Sequence, residues 1–196
     1  MCADPITHAQ DGFGRSPWPF STRLRMAAWN IAWTLLCAWT PKFCNGWRLF
    51  WLRVFGSQME GRPFVHQSAR VRLPWNLILR DRACLGERSN AYSLGEIELG
   101  AGCTVAQEAY LCTGTHDFDH PDMPLQTAKI TIGREAFIGA RAFVLPGVTI
   151  GDRTIVGAGS VVTRDLPADS IAAGNPCKIL SARSSPQAGS IARPSR

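Results

Sequence analysis

No two of the seven cysteines stand at a metal-ligand spacing, which removes a cysteine-built zinc site from consideration. Their odd number, with no cleavable leader in view, leads us to expect a reducing cytoplasm. There is no glycine-rich nucleotide loop and no Ser-His-Asp arrangement, so neither a Rossmann-type cofactor nor a triad hydrolase is indicated. Acidic residues are missing between Gly12 and Met59, where six basic ones occur: Arg15, Arg23, Arg25, Lys42, Arg48 and Arg53. The chain also lacks an apolar run of membrane-spanning length. Met26 to Trp39 is apolar apart from Asn30 and Thr34, but fourteen helical residues reach only about 21 Å of a roughly 30 Å hydrocarbon layer. The later part of the chain has no basic stripe, which argues against nucleic acid as a partner.

What is present is a period of six. An aliphatic residue returns at Ile132, Ile138, Val144, Ile150, Val156 and Val162. A small or β-branched residue precedes each later one by two places: Ala136, Ala142, Val148, Thr154 and Ser160. Six fits neither a helix nor one long strand, but it is a β-helix period. Each hexad is then a short strand plus a corner, with both marked residues facing inward. Glycine after the aliphatic position, as at Gly133, Gly139 and Gly151, is expected to relax the backbone at the corner. Upstream the phase recurs at Val65 and Val71, then Leu79, Leu85 and Ala91, then Leu99, Val105 and Leu111. The eight-residue steps from Val71 to Leu79 and from Ala91 to Leu99 imply two-residue slips. The longer gap from Leu111 to Ile132 implies a loop thrown out of the wall, within 115–129, and loops on repeat scaffolds carry function more often than walls do. Cys103 and Cys112 fall at repeat positions and read as small packed residues.

These features divide the chain into an irregular arm (1–20), a Trp- and Arg-rich helical extension (21–58), a β-helix domain (59–180) and a disordered tail (181–196). Helices are expected over 21–40, capped by Ser21 or Thr22, and over 43–55. Six of the seven tryptophans lie in the first 51 residues. Two readings of that extension stand side by side: it packs on the β-helix or on a neighbouring subunit, or its residues 15–55 touch a membrane surface peripherally.

The stretch Ile132–Leu180, with FWLRVFG (Phe50–Gly56), LPWNL (Leu73–Leu77) and AYLCTGTHD (Ala109–Asp117), resembles the hexapeptide-repeat acyltransferases. Within them it is most similar to the colanic-acid-type sugar O-acetyltransferases of bacterial exopolysaccharide synthesis. The resemblance implies an all-β, left-handed parallel β-helix, a homotrimer with inter-subunit active sites, acetyl-CoA as acyl donor and a saccharide acceptor. It implies a cytoplasmic enzyme, with the inner face of the cytoplasmic membrane as a peripheral location on the second reading above. His116 matches the family's catalytic histidine, and its chemistry suits a general base for a hydroxyl. Asp117 and Glu108 are alternative groups to orient it. Phe137 stands where many members carry Trp. Ala140 and Ala158 match positions whose backbone N–H groups meet pantetheine carbonyls, and backbone near Gly139 and Ala140 suits the oxyanion. Thr163, Arg164 and Lys178 match the pantothenate and phosphate side, although Ser181 replaces a basic residue found there in relatives. Tyr92 and Ser93 occupy the acceptor side, with Asp117 near it. His66 is expected to face solvent, and His120 to be a solvated loop residue. Other readings remain: transfer to an amino group or to a small free acceptor, a metal hydratase using His116, His120 and His66, and a non-catalytic scaffold.

Overall fold

The computed structural model of the protein describes residues 5–8 and 16–184. Short strands of two to four residues stack in parallel into three walls. The first wall contains Gln58–Met59, Leu77–Leu79, Ile97–Leu99, Ile130–Ile132 and Thr149–Ile150. The second contains Phe64–Val65, Cys84–Leu85, Thr104–Val105, Phe137–Ile138, Ile155–Val156 and Ser170–Ala173. The third contains Arg70–Val71, Asn90–Tyr92, Tyr110–Cys112, Phe143–Val144 and Val161–Val162. The fold is a β-solenoid of about 6 turns.

Its core is the one the period calls for. Every aliphatic residue of both runs is buried, and so are Ala136, Ala142, Val148, Thr154 and Ser160 two places ahead of them. The glycines need a different explanation from the one expected. Neither Gly133 nor Gly139 sits at positive φ. Each faces the backbone of the next coil so closely that a Cβ on Gly139 would stand 2.5 Å from Ala158 N, and one on Gly133 2.5 Å from Asp152 N. Positive φ falls two residues later, at Glu135, Arg141 and Arg153.

Both two-residue slips and the long insertion fall on one edge, where the third wall turns into the first. Wider corners there need extra hydrogen bonds, and side chains supply them. The Ser93 hydroxyl accepts from Leu73 N–H and donates to the Leu73 carbonyl, both at 2.9 Å. The Thr113 hydroxyl donates to the Tyr92 carbonyl (2.6 Å) and accepts from Gly95 N–H (2.8 Å). The insertion itself is not a bare loop. Gly114–His116 pairs antiparallel with Leu125–Thr127, and Ile6–His8 adds a third strand, so that part of the supposed irregular arm is ordered.

Two helices cover the beginning of the solenoid. Helix α1 (Phe20–Leu36) starts at Phe20 after Pro19, with no side-chain cap from Ser21 or Thr22. Its Trp29 is buried and donates through Nε1 to the Val71 carbonyl at 2.8 Å. Helix α2 (Asn45–Val54) adds Leu49 and Leu52 to the core and buries Arg48. Packing on the β-helix therefore holds for the inner faces. Phe20, Leu24, Ile31 and Leu35 of α1, and Phe50 and Val54 of α2, stay exposed. No helix among the described residues is long and apolar enough to cross a membrane. At the other end Lys178–Ala182 folds back antiparallel on Ser170–Ala173, so Ser181 and Ala182 belong to a strand rather than to a tail. Residues 185–196 of that expected tail lie outside the described residues. His66 is another correction: it is 7% exposed, with Nδ1 2.9 Å from the Ser68 hydroxyl, and burial lowers its pKa.

Candidate active site

His116 ends the first hairpin strand at the widened edge, and its imidazole is exposed. Nδ1 lies 2.7 Å from the Met123 carbonyl oxygen. A carbonyl only accepts, so Nδ1 carries a proton, and in the neutral ring the lone pair is then on Nε2. The orienting group is thus a backbone carbonyl of the same hairpin loop. Neither expected carboxylate does this work. Asp117 Oδ1 accepts from Asp119 N–H at 3.1 Å, which braces the turn, and Glu108 is paired with Arg88 and Arg141. His120 is exposed, with its Nδ1 accepting from Asp122 N–H.

In front of His116 opens a cavity of about 520 Å³. The widened edge contributes Arg72, Tyr92 and Leu94, and α1 contributes Arg23, Met26 and Asn30. Trp18 closes one side, against His8 at 4.8 Å between ring centroids, and His8 in turn lies 3.0 Å from the Thr127 hydroxyl. The N-terminal strand thus holds the cavity wall onto the hairpin. Tyr92, a candidate for the acceptor side, lines this cavity. Ser93 does not: it is fully buried, and its hydroxyl is committed to Leu73.

The remaining candidates lie elsewhere on the prism. Phe137 is 42% exposed on the second wall. Gly139, Ala140 and Ala158 stand where the second wall turns into the third. Neither Ala140 nor Ala158 donates its N–H to a backbone carbonyl among the described residues. Thr163 and Arg164 follow the last third-wall strand and are exposed, as is Lys178. The Gly174–Lys178 segment is held on the last coils by Gly174 N–H to the Ser160 hydroxyl and Cys177 N–H to the Val161 carbonyl. Within one prism, then, the His116 edge and the Ala140–Ala158 edge are separated by the third wall.

Residues 129–164 match the family described as "Bacterial transferase hexapeptide (six repeats)". Over 160 residues the chain is 38% identical to the Escherichia coli K12 protein named "Putative colanic acid biosynthesis acetyltransferase WcaF", covering 82% of this chain and 88% of that one. The chain belongs to the hexapeptide-repeat acetyltransferases. Among solved structures, the maltose O-acetyltransferase of Clostridium difficile 630 is 25% identical, with a TM-score of 0.73 over 85% of this chain and 90% of that one. The Vibrio cholerae acetyltransferase VCA0836, solved with acetyl coenzyme A, shares the fold at 18% identity (TM-score 0.69, 89% of this chain and 95% of that one). No group of three or more His, Cys, Asp or Glu side chains able to hold a metal occurs among the described residues of the acetyltransferase.

Sequence reasoning missed Arg23, Asn30, Arg72 and Trp18 as cavity residues. For Arg72 a signal existed: Val71, Ala91 and Leu111 are twenty apart, so Arg72, Tyr92 and Cys112 form one column beside them. For the other three there was none, because the docking angle of α1 has no periodic mark.

Proposed function

We propose that this enzyme transfers acetyl from acetyl-CoA to a sugar hydroxyl of an exopolysaccharide or its lipid-linked precursor, with His116 as general base. One observation carries the reading: the Met123 carbonyl accepts the Nδ1 hydrogen bond of His116, which puts the lone pair of the neutral ring on Nε2, and the imidazole lines a cavity large enough for a sugar. The acceptor hydroxyl gives its proton to Nε2 as its oxygen attacks the thioester carbon. The tetrahedral oxyanion then collapses, the C–S bond breaks, and the imidazolium returns the proton to the CoA sulfur. Backbone N–H groups near Gly139 and Ala140 suit the oxyanion, and those of Ala140 and Ala158 suit the pantetheine amides. Thr163 sits toward the pantothenate. Arg164 and Lys178 suit the nucleotide phosphates. Phe137 flanks the donor path as an exposed aromatic.

Because these donor positions and His116 lie on different edges of one prism, a complete site needs two copies of the chain. That supports a homotrimer with active sites between neighbours. The test of the function is His116→Ala, whose expected effect is set out in the Discussion.

A lipid-linked acceptor also gives the outer helix faces a use. Their exposed Phe, Leu and Ile side chains stand with exposed Arg23, Lys42 and Arg53, in a stretch with no acid from Gly12 to Met59. That combination suits an anionic bilayer surface. Two of the basic residues do not contribute: Arg48 is buried, and Arg25 stacks over Trp75 at 4.1 Å while donating to the Phe55 carbonyl. We expect the protein to sediment with anionic vesicles in low salt. Binding no stronger than to neutral vesicles would remove this membrane role.

A further inference from the structure

A second cavity, of about 300 Å³, lies between α1 and the third wall. It shares Asn30, Arg72 and Tyr92 with the cavity in front of His116, so the two are adjoining parts of one cleft along α1. The far part is lined by Trp33, Arg70, Asn90 and Tyr110, and Tyr110 stacks on Phe143 with ring centroids 4.9 Å apart. Aromatic faces beside amide groups suit a saccharide, but the charge pattern asks for more. Arg23, Arg70 and Arg72 all line the cleft, and no Asp or Glu does so. None of the three has a carboxylate partner among the described residues. Elsewhere on the solenoid the habit is the opposite: Arg80, Arg82, Arg88, Arg134, Arg141 and Arg153 each sit on a carboxylate. Three guanidinium groups left without acids in a cleft that also holds the proposed base suit an anion borne by the acceptor. Arginine's planar fork fits phosphate oxygens.

We infer that the acceptor is a saccharide carried on a phosphate or diphosphate ester. Its sugar lies toward His116, and its phosphate is held by Arg70 and Arg72, with Arg23 at the cavity mouth. The inference rests on the acetyltransferase reading above and narrows its substrate class. Such an ester has two sources, a prenyl diphosphate carrier or a nucleotide diphosphate, and both present the same charged group.

The test is calorimetric titration of the full chain, with saturating CoA present so that the donor's own phosphate site is filled. The probes are farnesyl diphosphate, UDP and inorganic pyrophosphate. Wild type is compared with the Arg70→Gln, Arg72→Gln double variant, whose folding is checked by its own acetyl-CoA titration. At least one probe is expected to bind saturably, and to bind about tenfold or more weakly to the double variant, as loss of charge-assisted hydrogen bonds implies. Tightest binding of farnesyl diphosphate identifies the lipid carrier, and tightest binding of UDP the nucleotide. Comparable binding of all three supports recognition of the diphosphate alone. No saturable binding of any probe, or equal affinity in the double variant, overturns the inference. Because the readout is binding and not turnover, failure here leaves the role of His116 standing, and loss of that role leaves this result readable.

Discussion

His116→Ala is expected to slow acetyl transfer by about 10²- to 10⁴-fold, the usual range for loss of a positioned general base. Affinity for acetyl-CoA is expected to change little, because the contacts proposed for the donor, backbone N–H groups of Ala140 and Ala158 and the side chains of Arg164 and Lys178, do not include the imidazole. The measurement is release of the CoA thiol in the presence of acceptor, beside a donor titration of the same preparation. The size of the effect follows from the hydrogen bond at Nδ1. The Met123 carbonyl holds the ring in one tautomer, so Nε2 needs no rearrangement before it takes a proton. Near-normal turnover in the variant would remove His116 from the mechanism.

Arg48→Ala is expected to destabilise the protein by about 3 kcal/mol or more, because it strips donors from several buried acceptors at once. Arg48 is fully buried. Its Nε donates to the Val65 carbonyl at 2.9 Å. Nη1 donates to the Thr40 hydroxyl at 2.8 Å and the Pro41 carbonyl at 2.9 Å, and Nη2 to the Lys42 carbonyl at 3.0 Å. All of these are neutral acceptors, and burial pulls the guanidinium pKa down. One side chain thus ties the turn before α2 to a strand of the first coil. A solenoid depends on its terminal caps, so loosening this one exposes the end of the core. In thermal unfolding the midpoint is expected to fall by about 6–12 °C, at the 2–4 °C per kcal/mol typical of this size. Arg48→Met, which keeps bulk but no donor, is expected to recover only part of the loss. A shift below about 2 °C for Arg48→Ala would show that the cap does not depend on these bonds.

The solenoid was legible because its physics repeats. Burying one small and one aliphatic residue per hexad writes the same two-letter mark at Ala136 and Ile138, at Ala142 and Val144, and onward. Even the widened edge left a trace, in the eight-residue steps after Val71 and Ala91. The glycines were legible as positions but not as reasons, since close approach to the next coil is a contact between residues eighteen or nineteen apart, such as Gly139 and Ala158. Of the candidate site, the sequence marked His116 and Tyr92, which line one cavity, while the donor-side residues rest on the family resemblance and are proposals. The site's working detail was not legible. The Met123 carbonyl is a backbone atom whose role depends on how the hairpin folds. Ser93 has the chemistry of a sugar contact, yet it serves a corner. Arg48 looks in sequence like one more surface charge of a basic segment and turns out to be its buried lock. Each of these is decided by tertiary placement, which no local pattern encodes.

The central claim, a donor site for acetyl-CoA on this prism, is tested most directly by calorimetric titration of the full chain with acetyl-CoA, wild type beside Lys178→Ala. The account predicts saturable binding that the substitution weakens by about tenfold, the worth of one charge-assisted phosphate contact. Absence of binding at millimolar donor, or equal affinity in the two proteins, would contradict it: the first by removing the donor, the second by removing Lys178 from its phosphates.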